Sequence, residues 1–410
     1  MGTDQNGRWR IERSDGSESH SEPESPVSAD ADAVSLLRAS GGSRHTRRWW
    51  IVAGIIATVT VVGLGFVLEA RDNPEASAHE GKARTTTSAK KRSTTAPPTT
   101  AAPTAAGPTG AAPTTVPPPP VEMGLAPLTG LPAPISDLQR PALVAKIDGS
   151  KPAMPQVGLD QADIVYEVSV EWGSRYLAVF HSQNPDVIGP MRSARTTDPD
   201  LLAMFGHPLF GFSGANRGVL FVLGATPWKT TVSPDVVYDA YFRENVRPWH
   251  NALMARPAVL RTVANPQVPP HPLFHYHERG VPGGGVPASH FNAYPGMAVD
   301  FDWDARLGGW RRQIWGEEHL NANGTPVAPT NVVVLETNYR SSMVDERSPE
   351  AISLGSGRAW VFSQGLVRGG SWARMQNTDT WNLRDDSGAP MPLEPGSTWV
   401  VLSERPPQTR

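Results

Sequence analysis

The stretch from Asp163 to Ser182, DIVYEVSVEWGSRYLAVFHS, constrains the fold of this chain more than any other. Ile164, Tyr166, Val168, Val170 and Trp172 alternate with Asp163, Val165, Glu167, Ser169 and Glu171, the period of two that marks a half-buried strand. Gly173-Ser174 follows, and glycine at the first position of a two-residue loop suits a type II′ hairpin turn. That turn predicts a register in which Val170 opposes Leu177 and Val168 opposes Val179 on the core face. Glu171 then opposes Tyr176, and Glu167 opposes Phe180, on a face expected to be solvated or salt-bridged. An isolated hairpin is marginal in water, so other segments must cover the apolar face.

Only part of the 410 residues can supply that cover. Trp49 to Leu68, WWIVAGIIATVTVVGLGFVL, is a run of twenty uncharged residues, about the length that crosses a ~30 Å hydrocarbon core as a helix. Arg44, Arg47 and Arg48 precede it and Glu69, Arg71 and Asp72 follow, which puts the N-terminus in the cytoplasm. A cleaved signal peptide would have a site at Ala76-Ser77-Ala78, but the long segment before the apolar run favours a retained single-pass anchor. Residues 1–48 read as a disordered cytoplasmic tail, 49–68 as the transmembrane helix, and 69–123 as a Pro/Thr/Ala-rich extracytoplasmic spacer. In polyproline II form, at ~3.1 Å per residue, the part from Asn73 to Pro120 reaches roughly 150 Å, enough to work within a thick cell wall.

From Gly124 the composition becomes that of ordinary globular protein. Pro and Gly cluster without periodicity at 265–289, which divides an N-terminal module, 124–264, from a C-terminal one, 290–405. The expected fold class is α+β. The first module is mixed, with the hairpin and helical patches at Pro199–Phe205, Ser233–Arg243 and Arg256–Val263. The second is mostly antiparallel β, built from runs such as MAVDFDWD, GWRRQIWGE, NVVVLETN, GRAWVFSQG and GSTWVVLSE.

With no cysteine, the chain has no disulfide, thiol nucleophile, Cys-ligated zinc or lipid-anchoring cysteine. A formal net charge of −3 argues against nucleic acid as a partner. Glu167 and Glu171 invite a glycosidase reading, but four strand residues span ~13 Å, beyond the ~5–9.5 Å of a working carboxyl pair. HPLFHYHE holds His271, His275, His277 and Glu278 without the helical spacing of a zinc motif, and no metal or cofactor is expected.

IGPMRSARTTDPD is the more suggestive stretch. Arg192 and Arg195, with Ser193 between them, precede Asp198-Pro199, which reads as a helix cap followed by proline at the first helical position. Guanidinium groups beside such an N-terminus suit a carboxylate or phosphate. The alternative is internal pairing of the arginines with Glu167, Glu171 or Asp163. RPWHNALM adds His250 and Asn251, as a general base or as hydrogen-bonding turn residues.

With PLTGLP, the GLDQADIVYE…IGPMRSAR pairing, PWHNALM, NVVVLET, GSGRAWVFSQG and LEPGSTWVVL in view, the chain resembles the YerB-like DUF3048 family of bacterial envelope proteins. The resemblance covers Leu125 to Glu404 and implies a two-module surface protein with no established reaction. Members are often lipoproteins; here an apolar run stands where a lipid-bearing cysteine would be. The expected function is binding of an anionic envelope component, peptidoglycan or a wall polymer. Arg192 and Arg195 would hold the anion, and Ser193, Glu167, Glu171, His250 and Asn251 would shape the cleft. The alternatives are a hydrolase or transferase acting on the wall and a protein-interaction scaffold for wall synthesis.

Overall fold

The computed structural model describes residues 121–278, 281 and 283–410, so the expected tail, transmembrane run and nearly all of the spacer lie outside the described residues. Among the described residues no helix is long and apolar enough to cross a membrane. The folded part is mostly β-sheet with few and short helices. An eleven-stranded mixed sheet forms its frame. Its order runs Val286–Pro287, Leu366–Arg374, Gly355–Ser363, Asn331–Glu336, Thr398–Ser403, Ile164–Val170, Gly173–Phe180, Leu143–Asp148, Leu209–Gly211 and Thr230–Thr231, with Asn382–Asp385 added beside Leu366–Arg374. The segment at 265–289 does not divide this sheet. Thr398–Ser403, from the C-terminal module, pairs in parallel with Ile164–Val170 from the N-terminal one and with Asn331–Glu336 on its other side.

The hairpin forms, in a different register. Val170 pairs with Gly173, Val168 with Arg175 and Glu167 with Tyr176, so the turn is Glu171-Trp172 rather than Gly173-Ser174. The pairing moves by an even number of residues, which leaves the same side chains on the same faces. It takes Glu171 out of the strand and brings Ser174 within reach of Glu167, whose carboxylate accepts the Ser174 hydroxyl at 2.7 Å.

The expectation of a half-buried hairpin is also corrected, because the sheet is covered on both faces. Ile164, Tyr166, Val168, Leu177 and Val179 pack with Leu201, Leu202, Phe205, Phe210 and Leu223 on one side. Val165, Tyr176 and Ala178 pack on the other with Phe291, Trp310 and Ile314 of a second, five-stranded sheet. Glu167 is therefore fully buried. Its Oε1 accepts from Arg312 Nη2 at 2.7 Å and its Oε2 from Trp399 Nε1 at 2.8 Å.

Short helices occur at Asp198–Leu202, Arg217–Gly224 and Pro257–Leu260. The first and third match expected patches. Ser233–Arg243 instead holds a single 3-10 turn, Tyr238–Ala240, and a strand, Tyr241–Arg243. Asp198 is not a cap: the N-cap is Thr197, and Asp198 lies in the first turn with its carboxylate turned to Arg195 N and Lys146 Nζ. A five-residue helix without a side-chain cap offers little anion-binding dipole.

Among the described glycines, Gly370 has the least room for a side chain. A Cβ there would stand 2.0 Å from the Arg384 carbonyl oxygen, a backbone atom of the Asn382–Asp385 strand. Gly370→Ala is expected to push that strand away and cost about 1–3 kcal/mol, the usual range for overpacking. Urea unfolding would read this as a lowered midpoint at unchanged slope; an unchanged midpoint would contradict it.

Candidate functional site

The ends of neighbouring sheet strands and the segment that crosses them gather a cluster of charged side chains. Leu143–Asp148 places Val144, Lys146 and Asp148 on one face by alternation, and Asp148 pairs in register with Arg175 of the neighbouring strand. Residues 192–197 cross these ends as irregular backbone, fixed by the Arg192 N–H donating to Lys146 O and the Ser213 N–H donating to Arg192 O.

Three ion pairs follow. Lys146 Nζ donates to Asp198 Oδ1 at 2.7 Å, with both side chains wholly buried. Burial pulls the Lys146 ammonium down to about 8 against the opposing pull of Asp198. Arg195 holds Glu171 with a two-pronged contact, Nε to Oε1 at 2.8 Å and Nη2 to Oε2 at 3.0 Å. Burial alone would raise the Glu171 carboxyl; the Arg195 bonds outweigh it and leave it below its usual range. Arg192 Nε lies 3.1 Å from Asp148 Oδ2 without the alignment of a hydrogen bond, and its Nη1 donates to the His250 carbonyl at 3.1 Å.

Arg175 lies among these pairs. It is 9% exposed, and its Nη1 donates to the Ser193 carbonyl at 2.9 Å. It forms no salt bridge among the described residues. Burial lowers its guanidinium to about 10, with Arg195 and Arg192 pushing the same way and Glu171 and Asp148 opposing. Lys146, Arg175, Arg192 and Arg195 thus face Asp148, Glu171 and Asp198, four cations to three carboxylates. The excess positive charge resides on Arg175.

The structure brings together Arg192, Ser193, Arg195, Glu171 and Asn251. Asn251 donates to Asp148 Oδ2 at 2.7 Å, and Ser193 contributes its carbonyl. His250 contributes its carbonyl as well, while the residue is exposed. Glu167 stands apart, closed into the core with Arg312. Sequence reasoning missed Lys146, Asp148 and Arg175. The alternation in AKIDGS was the available signal for the first two, and Arg175 became visible only with the true hairpin register.

Behind this cluster runs a buried polar chain from the second module. Arg312 Nη1 contacts His319 Nδ1 at 2.9 Å. A guanidinium only donates, so Nδ1 accepts and the proton of His319 sits on Nε2. Nε2 donates to Gln156 Oε1 at 2.7 Å, and Gln156 Nε2 donates to the Asp148 carbonyl at 2.8 Å.

Two family models match this chain. "Protein of unknown function (DUF3048) N-terminal domain" covers residues 128–268 and "Protein of unknown function (DUF3048) C-terminal domain" covers residues 290–400. The chain belongs to the DUF3048 family. A relative from Bacillus subtilis (strain 168), named "Putative lipoprotein YerB", is 26% identical over 291 residues, 68% of this chain and 85% of the relative. The crystal structure of the YerB protein from Bacillus subtilis superposes with a TM-score of 0.61 at 22% identity, over 68% of this chain and 96% of that one. At that identity the likeness speaks for a shared DUF3048 fold and for nothing finer. In this DUF3048 chain the two matched regions contribute neighbouring strands to one sheet.

Proposed function

We propose that this protein is a membrane-anchored, extracytoplasmic binding protein whose Arg175–Arg192 cluster takes a carboxylate or phosphate of a cell-envelope polymer. The observation that carries the reading is Arg175, a largely buried guanidinium with two like charges beside it and no carboxylate of its own. Burying an uncompensated charge destabilises a fold, and an incoming anion removes that cost. Arg192, whose side chain is 30% exposed, gives the anion an approach from solvent. Arg195 is committed to Glu171, so its part is to hold the turn in place. The uncharged Trp49–Leu68 run and the spacer after it support an anchor on a long tether, and the lipoprotein in the relative's name supports a place at the membrane.

The test is binding of the purified protein to polyphosphate and to polyglutamate, two anions without sugar. Binding is expected to weaken as salt rises. Arg175→Met is expected to lower affinity about ten-fold or more, from a charged hydrogen bond's worth of about 1.5–3 kcal/mol, and to leave the unfolding midpoint unchanged or raised. Equal affinity in the variant and the parent would reject the cluster as an anion site.

A further inference from the structure

Two tryptophans, one from each module, stand at the rim of a hollow of about 480 Å³ beside the charged cluster. Trp172 sits at the tip of the Glu171-Trp172 turn and is 97% exposed. Trp315 opens the Trp315-Gly316 turn between Gly309–Ile314 and Glu317–Glu318, with φ of 55° and 75° at the two turn residues. Positive φ at both positions marks a type I′ turn, where Asn, Asp or Gly is the favoured first residue. Trp315 holds that position against this preference and is 42% exposed. Ala298, on the same rim, also has a positive φ of 48°, and its carbonyl accepts the Trp315 N–H at 3.1 Å. Of the non-glycine residues with positive φ among those described, Ala298 and Trp315 lie here and Gln364 elsewhere. Strained backbone that fixes an exposed aromatic ring is a mark of a binding site.

The walls specify the ligand. A pyranose ring has an apolar C–H face and a rim of hydroxyls; an exposed indole is suited to the first, and open solvent and a carboxylate to the second. Glu171 lines the hollow and is the carboxylate held by Arg195, so the hollow and the cluster share a residue. A fatty chain would have to desolvate that carboxylate. A sugar carrying its own acidic group complements both the indoles and the unmatched Arg175.

We infer that the Trp172–Trp315 hollow is a sugar subsite, which holds a ring of an acidic glycan while the glycan's charged group reaches the Arg175 cluster. This rests on the anion-binding reading above and names its substrate class.

The experiment is calorimetric titration of the full chain with four probes: an oligouronate, a neutral oligosaccharide of the same length, polyphosphate and polyglutamate. Trp172→Ala combined with Trp315→Asn tests the hollow, because asparagine suits the I′ position and keeps the turn; an unchanged unfolding midpoint confirms the fold. The double variant is expected to lose at least ten-fold in oligouronate affinity and nothing in polyphosphate affinity. Undiminished oligouronate binding would overturn the sugar subsite and leave the anion site standing. Polyglutamate binding with the same dependence on the tryptophans would overturn it in favour of an acidic peptide. Tryptophan-dependent binding of the neutral sugar, with Arg175→Met silent for every anion, would sink the anion reading and with it the acidic character assigned to the glycan.

Discussion

Arg312→Met is expected to lower the unfolding free energy by about 3–5 kcal/mol, because it strands Glu167 as a buried charge. Both side chains of the pair are wholly inaccessible. The Glu167 carboxylate would keep only Ser174 Oγ and Trp399 Nε1, two neutral donors. Three further losses add to this. His319 Nδ1 loses its donor, and Trp399 and Tyr176 lose the guanidinium that lies 4.9 Å and 5.5 Å from their ring centres. Since Arg312 comes from the second sheet and Glu167 from the main one, the damage falls on the contact between the layers. Glu167→Gln in the same chain removes the stranded charge and should recover much of the loss. Urea unfolding at neutral pH decides the matter: a single variant no less stable than the double would show that the charge is not buried as described.

Acidification should produce the next largest effect. His181 and His319 are both inaccessible, and burial is the leading cause that lowers each, His181 to about 4 and His319 well below its ordinary 6.5. Between pH 6.5 and about 4 the unfolded chain binds protons at these residues that the folded chain refuses. Stability therefore falls as pH drops through that window, by up to about 1.4 kcal/mol per unit for each group. Glu171, lowered in the fold, adds to the fall at the acid end; Asp163, raised by burial, opposes it. His181→Gln supplies an amide N–H for the bond that His181 Nε2 makes to the Leu138 carbonyl. It should flatten the dependence of the unfolding midpoint on pH between 7.5 and 4.5. A parent protein as stable at pH 4.5 as at 7.5 would refute the assignment.

The sequence made the hairpin and most C-terminal strands legible because alternation and turn residues are local signals. It did not reveal that both hairpin faces are covered. Glu167 interrupts an apolar face, and its partner Arg312 lies far along the chain in a run read only as a strand, GWRRQIWGE. The place of the two-residue turn is hidden in the sequence for a related reason. Glycine marks where positive φ is cheap, while in the observed register the turn residue Glu171 meets Arg195 from another segment, a tertiary fact. Likewise, IGPMRSAR showed two arginines with candidate partners, and Glu171 was among those named. The guanidinium left without a carboxylate proved to be Arg175, which only the register brings beside them.

The central place of Thr398–Ser403 in the sheet has a consequence for biosynthesis. Ribosomes make the hairpin early and its neighbour Thr398–Ser403 almost last, so the two pairings that join the halves of the main sheet form only at the end of synthesis. Until Ser403 has emerged, Ile164–Val170 and Asn331–Glu336 each present an open, Val-rich edge of the kind that recruits stray strands. The join between the two halves of the sheet therefore waits until synthesis is all but finished. A premature stop ahead of Thr398 is expected to leave both of these edges unpaired.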